Sequence, residues 1–111
     1  MANQLASIRD RLEALLTGLE RGDHPGQARL EETLTDGYAW ALKLDAECAR
    51  LERSIGTLAA ELDYGSGEQQ ARELSRTARR LARVKQELVA LRGLLSSLRA
   101  EAAEAAEAKV A

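Results

Sequence analysis

The sequence predicts an all-α fold: a long antiparallel helical hairpin, coiled-coil-like, with a shorter N-terminal helix packed on its base. Apolar residues recur at alternating spacings of three and four through most of the chain, the period that gathers them on one helix face. Ala, Leu, Glu and Arg dominate and aromatics make up only 3%, the composition of long helices with an aliphatic core. Pro25 is the only proline, and most of the glycines gather near two short breaks, around Gly22–Gly26 and Asp63–Gly67.

Helix 1 is expected over about residues 4–21. Asn3 suits an N-cap, since its side chain can accept from the free amides of the first turn. Leu5, Ile8, Leu12, Leu15 and Leu19 form its apolar face. Gly22 suits the left-handed residue that ends a helix, and Pro25 suits the first position of the next, where a missing amide costs nothing.

Helix 2 is expected over about residues 25–62. Its repeat runs Leu30, Leu34, Gly37, Ala41, Leu44, Cys48, Leu51, Ile55, Leu58 and Leu62. Gly37 weakens a helix interior by about 1 kcal/mol, but the register continues across it without a fault, which argues for one helix. Residues 63–67 read as a turn, and Ser66 with Gln69 matches a capping box. Helix 3 follows over about residues 67–106, with Leu74, Thr77, Leu81, Val84, Leu88, Leu91, Leu95, Leu98, Ala102 and Ala105 inward and a frayed tail at 107–111.

A short turn makes helices 2 and 3 antiparallel, so facing residues should have a nearly constant sum of residue numbers. The pairs Ile55/Leu74, Cys48/Leu81, Ala41/Leu88 and Leu34/Leu95 do, as do Leu51/Thr77, Leu44/Val84, Gly37/Leu91 and Leu30/Leu98. Helix 1 meets helix 2 by the same rule: Leu19/Leu30, Leu15/Leu34, Leu12/Gly37, Ile8/Ala41 and Leu5/Leu44. One fold satisfies both registers. The whole chain, 1–111, is expected to be a single helical domain. Charge agrees with this pairing: helix 2 is acidic and helix 3 is basic up to Arg92, with Asp45 expected near Lys85 and Glu47 near Arg80.

Function is less legible. A net charge of −2 steers the whole molecule toward neither nucleic acid nor membranes. No apolar run approaches the roughly 20 residues of a membrane-spanning helix. The lone Cys48 excludes an intramolecular disulfide and suits a reducing compartment, so the expectation is a cytoplasmic protein. His24 stands alone in a loop and Cys48 at a core position, so no metal site, cofactor site or catalytic group is expected. The chain reads as non-enzymatic.

Two surfaces invite a partner. One flank of the hairpin carries the apolar strip Tyr38, Leu42, Ala49, Ala78, Ala82 and Val89, a candidate oligomer interface. Helix 1 can cover one flank only, and it is expected to cover Trp40 and Leu94 on the other, which would leave the strip exposed. The second surface is the stripe Arg72, Arg76, Arg79 and Arg83 with Arg80 beside it, a candidate site for an acidic partner or nucleic acid. The expected function is a protein–protein interaction or assembly module, homodimeric and also meeting another protein. The alternative is a nucleic-acid-associated protein.

Two resemblances do not extend far. Leu74, Leu81, Leu88 and Leu95 recur every seventh residue as in leucine zippers, but the arginines lie within the repeat instead of before it. Tyr64 and Glu68 fit the Tyr-x-x-x-Asp/Glu element of WXG100-type helical hairpins, but no Trp-x-Gly occurs at the turn.

Overall fold

The computed structural model describes residues 2–64 and 67–110. They form three helices, α1 (Ala2–Glu20), α2 (Gln27–Asp63) and α3 (Glu68–Val110), and no strand is present among them. The fold is an all-α three-helix arrangement: α2 and α3 pair most extensively as an antiparallel hairpin, and α1 packs on both.

The helix ends follow from local backbone chemistry. Gly22 has φ +89°, a left-handed conformation that costs a residue with a Cβ roughly 1–2 kcal/mol. Around it the Asp23 amide donates to the Gly18 carbonyl at 2.8 Å and the Gly22 amide to the Leu19 carbonyl at 3.0 Å. This pair of bonds is the Schellman arrangement, which satisfies carbonyls that the ended helix would leave free. α2 begins later than the proline suggested. The Gly26 carbonyl accepts the first intrahelical bond, from Leu30 at 3.1 Å, so Pro25 precedes the cap and does not occupy the first turn. α2 then continues through Gly37 without a break.

α1 starts at Ala2, which puts the backbone of Asn3 inside the helix and not at its cap. At the start of α3 the Gly67 carbonyl accepts from Ala71 at 3.5 Å; the expected cap at Ser66 lies outside the described residues. α3 continues to Val110, past the expected end near Ala106, because Ala and Glu are among the strongest helix formers even with little to bury.

The chain forms two compact units, Met1–Ala41 with Val89–Ala111 and Leu42–Leu88. The first contains three helical segments and a dense core. Leu12, Leu91, Leu95 and Leu98 are fully buried there, with Leu5, Ile8, Leu15 and Leu30 beside them. At about 1.5–3 kcal/mol for each fully buried Leu, this is where the largest apolar stabilisation lies. Gly37 is buried among them. A Cβ built on Gly37 would lie 2.6 Å from Leu95 Cδ2 and 3.4 Å from Leu12 Cδ1. The Leu12 contact matches the expected register. The nearest atom of α3 is Leu95's, one turn beyond Leu91, the partner that the register set there.

Within the same unit α1 lies against the flank of α2 that carries Thr33 and Asp36. Arg11 Nη1 stands 3.1 Å from Asp36 Oδ2, and its Nη2 donates to Thr33 Oγ1 at 3.4 Å. Thr33, at 2% exposure, is a buried polar residue that the heptad reading does not assign to the core. Its hydroxyl is satisfied within the helix, donating to the Arg29 carbonyl at 2.9 Å, as buried polar groups require. Trp40, on this flank, and Leu94 are half-buried.

The second unit contains two helical segments only, from α2 and α3. Leu44, Cys48, Leu51, Val84 and Leu88 are buried. Toward the connection between the helices, Ile55, Leu58, Leu62, Leu74, Thr77 and Leu81 are half-buried. Two helices cannot enclose an apolar seam on every side, so burial thins where no third helix is present.

Candidate interaction surface

The residues of the apolar strip stand at the surface in both units. In the three-helix unit Tyr38 is 39% and Val89 71% exposed. In the two-helix unit Leu42 is 71% exposed, and Ala49, Ala78 and Ala82 are exposed with it. Helical spacing explains this. Leu42 and Ala49 fall more than a third of a turn, roughly 130–150°, from the inward row Leu44–Cys48–Leu51, so the seam cannot take them in. Glu52 and Lys85 meet at 3.5 Å, which places the Leu42–Ala49 side of α2 and the Ala78–Ala82 side of α3 on one flank. Lys85, which the register set near Asp45, also reaches Glu52.

On the opposite flank of this unit Glu47 accepts from Arg50 of its own helix, and its other oxygen stands 3.0 Å from Arg80 Nη2 on α3. The Arg80 contact is the one that the register expected. The Arg50 hydrogen bond lowers the Glu47 carboxyl from its ordinary pKa; partial burial opposes the shift, and the charges of Arg50 and Arg80 add to it. Cys48, one residue on, faces the seam, and burial pushes its thiol pKa up.

The arginine stripe is exposed along its length. Arg72 pairs with Glu68 at 3.2 Å and Arg80 with Glu47. Arg76, Arg79 and Arg83 make no ion pair among the described residues. A shallow groove runs beside them, lined by Ala71, Arg72, Ser75, Arg76 and Arg79. Thr77 points toward the seam, but its hydroxyl is taken up by the Glu73 carbonyl at 2.8 Å. Among the described residues no group of three or more His, Cys, Asp or Glu is placed to hold a metal ion, and no helix is long and apolar enough to cross a membrane.

Fold and surface together define an all-α protein whose distinctive features are exposed helix faces. Compared with protein-family models, with curated proteins and with solved structures, the chain matches none.

Proposed function

We propose that this chain is a non-enzymatic, cytoplasmic protein–protein interaction module that assembles as a homodimer. One observation carries the reading. The two-helix unit holds a row of half-buried leucines and isoleucine on its seam and an exposed Leu42 beside exposed alanines. A two-stranded helical unit of this kind gains from a further helix laid against it, because apolar burial contributes about 25 cal/mol per Å². Tyr38 and Val89 offer the three-helix unit its own exposed apolar groups. Light scattering at micromolar concentration tests the reading. A mass of twice 12.1 kDa is expected, falling to a single chain in Leu42→Glu and in Val89→Lys with helicity retained. A wild-type monomer overturns it.

The second reading is association with nucleic acid through α3, and the unpaired Arg76, Arg79 and Arg83 favour it. Binding of a duplex oligonucleotide that weakens steeply with salt is its signature. Against it, Tyr64 is the only aromatic residue in the two-helix unit, so bases would find little to stack on.

A further inference from the structure

Helical spacing divides the arginine stripe in two. At the heptad period, Arg76 and Arg83 stand about 50° round α3 from Arg80, on the flank where Arg80 meets Glu47. Arg72 and Arg79 stand about 100° round from Arg80, on the back of α3. On the Glu47 flank α3 is basic from Arg76 to Arg83, with Glu73 beyond one end and Glu87 beyond the other. Facing this stretch α2 brings Lys43, Glu47 and Arg50. Glu47 is the one carboxylate among them, and it is already held by Arg50 and Arg80. Five exposed cations thus surround a single carboxylate. Arg76 and Arg83 make no ion pair among the described residues. Beside the patch a groove opens between the helices, lined by Arg50, Ser54, Leu58, Glu73 and Thr77. Leu58 and Thr77 are half-buried there, and the Thr77 hydroxyl is satisfied within its own helix, which gives the groove an apolar floor.

We propose that this flank docks an acidic amphipathic helix of another protein, its apolar residues on Leu58 and Thr77 and its carboxylates against Arg50, Arg76, Arg80 and Arg83. The inference deepens the protein–protein interaction reading, on which it rests, and does not need the homodimer. A helix suits this side of α2. Glu47 and Ser54 hold the heptad position that Thr33 holds in the three-helix unit, where α1 reaches Thr33 through Arg11. Charge then selects the partner, because basic residues beside an apolar floor favour a helix edged with acid and repel one edged with base. A nucleic acid would meet the same cations, but over a short span. Arg76 to Arg83 covers roughly 10 Å of helix, Glu73 and Glu87 repel a polyanion at either end, and Leu58 and Thr77 would go unmatched. Charge and groove together favour the helix.

The probe is a labelled three-heptad peptide with Leu at positions a and d and Glu at e and g, whose own like charges keep it single at pH 7. Its counterpart with Lys at e and g is the control, and binding to the full chain is read by fluorescence anisotropy. The acidic peptide is expected to bind at least tenfold more tightly than the basic one. Arg76→Glu/Arg83→Glu is expected to weaken it at least tenfold with helical circular dichroism kept. Arg72→Glu/Arg79→Glu, equal in charge but on the back of α3, is expected to cost less than threefold. No binding, equal binding of the two peptides, or equal losses in the two variants overturns the proposal. A duplex oligonucleotide bound through Arg76 and Arg83 by a chain that ignores the peptide assigns the flank to nucleic acid and overturns it too. Should Arg76→Glu/Arg83→Glu lose helicity, Arg76→Gln/Arg83→Gln replaces it; at least threefold weaker binding is expected, and unchanged binding overturns the site. Light scattering of the wild type keeps the two readings apart. A dimer that ignores the peptide overturns this inference alone, and a monomer that binds it overturns the homodimer alone.

Discussion

Leu95 packs directly over Gly37: a Cβ at Gly37 would lie 2.6 Å from Leu95 Cδ2, and Leu95 itself is 1% exposed. Two effects compete in Gly37→Ala. Alanine improves helix propensity by about 1 kcal/mol. Overpacking a closed core costs about 1–3 kcal/mol, and Leu95 has no solvent to turn into. The clash wins, so Gly37→Ala is expected to lower stability by up to about 2 kcal/mol in denaturant unfolding. Gly93, in the exposed middle of α3 with nothing within 4 Å of a built Cβ, is the control. There the propensity acts alone, and Gly93→Ala is expected to raise Tm. If both substitutions stabilise, Leu95 does not close over Gly37.

Gly22 carries the turn that ends α1. Its φ of +89° is open to glycine without cost, so Gly22→Ala is expected to lose about 1 kcal/mol, while Gly22→Asn, which tolerates this region better, loses less. Thermal unfolding of the two variants reads the difference. Equal losses would show that side-chain bulk is at fault and not the backbone conformation.

Glu47 makes stability depend on pH in a determined direction. Its carboxyl is lowered in the folded chain, with the Arg50 hydrogen bond as the largest cause. A group whose folded pKa is depressed contributes stability that is complete above its unfolded value, about 4.3 for Glu, and lost as pH falls through the folded value. Wild type is therefore expected to exceed Glu47→Gln in Tm at pH 7, with the gap narrowing from about pH 5 to pH 3. A gap that does not change over this range excludes the linkage. The contacting arginines are more than half exposed, so the effect is modest and weakens with salt.

Cys48 is 6% exposed, and burial raises its thiol pKa. Thiolate is the reactive form, so access and ionisation both protect it. Labelling by a thiol reagent at pH 8 is expected to be at least a hundredfold slower than for a free cysteine, and to accelerate where denaturant begins to open the fold. Prompt labelling of the native chain would mean that the seam of the two-helix unit opens readily.

Much of the fold is written in the spacing of apolar residues. Every inward position of the three repeats is buried or half-buried, from Leu5 on α1 to Ala105 on α3, because alternation of three and four leaves a helix only one apolar face to hide. Exposure of Leu42 and Val89 and the Glu47–Arg80 contact were legible for the same reason. Thr33 was not: it lies beside the apolar row, and only a third helix on its flank makes that position interior. Its one forewarning in the sequence is that a three-helix unit must bury part of a flank as well as the seam.

The sequence by itself thus determined the number of helices, their inward faces and the Gly22 stop, since each depends on a helical period or on one residue's backbone preference. Tertiary structure decided what those local terms leave nearly degenerate. It placed α1 against Thr33 and Asp36 through Arg11, set Leu95 nearest to Gly37, and paired Lys85 with Glu52. A single apolar stripe on α1 fits either flank of a hairpin, leucines a turn apart are alike, and a lysine reaches several acids at similar energy. Only the packing of the helices on one another distinguishes these choices.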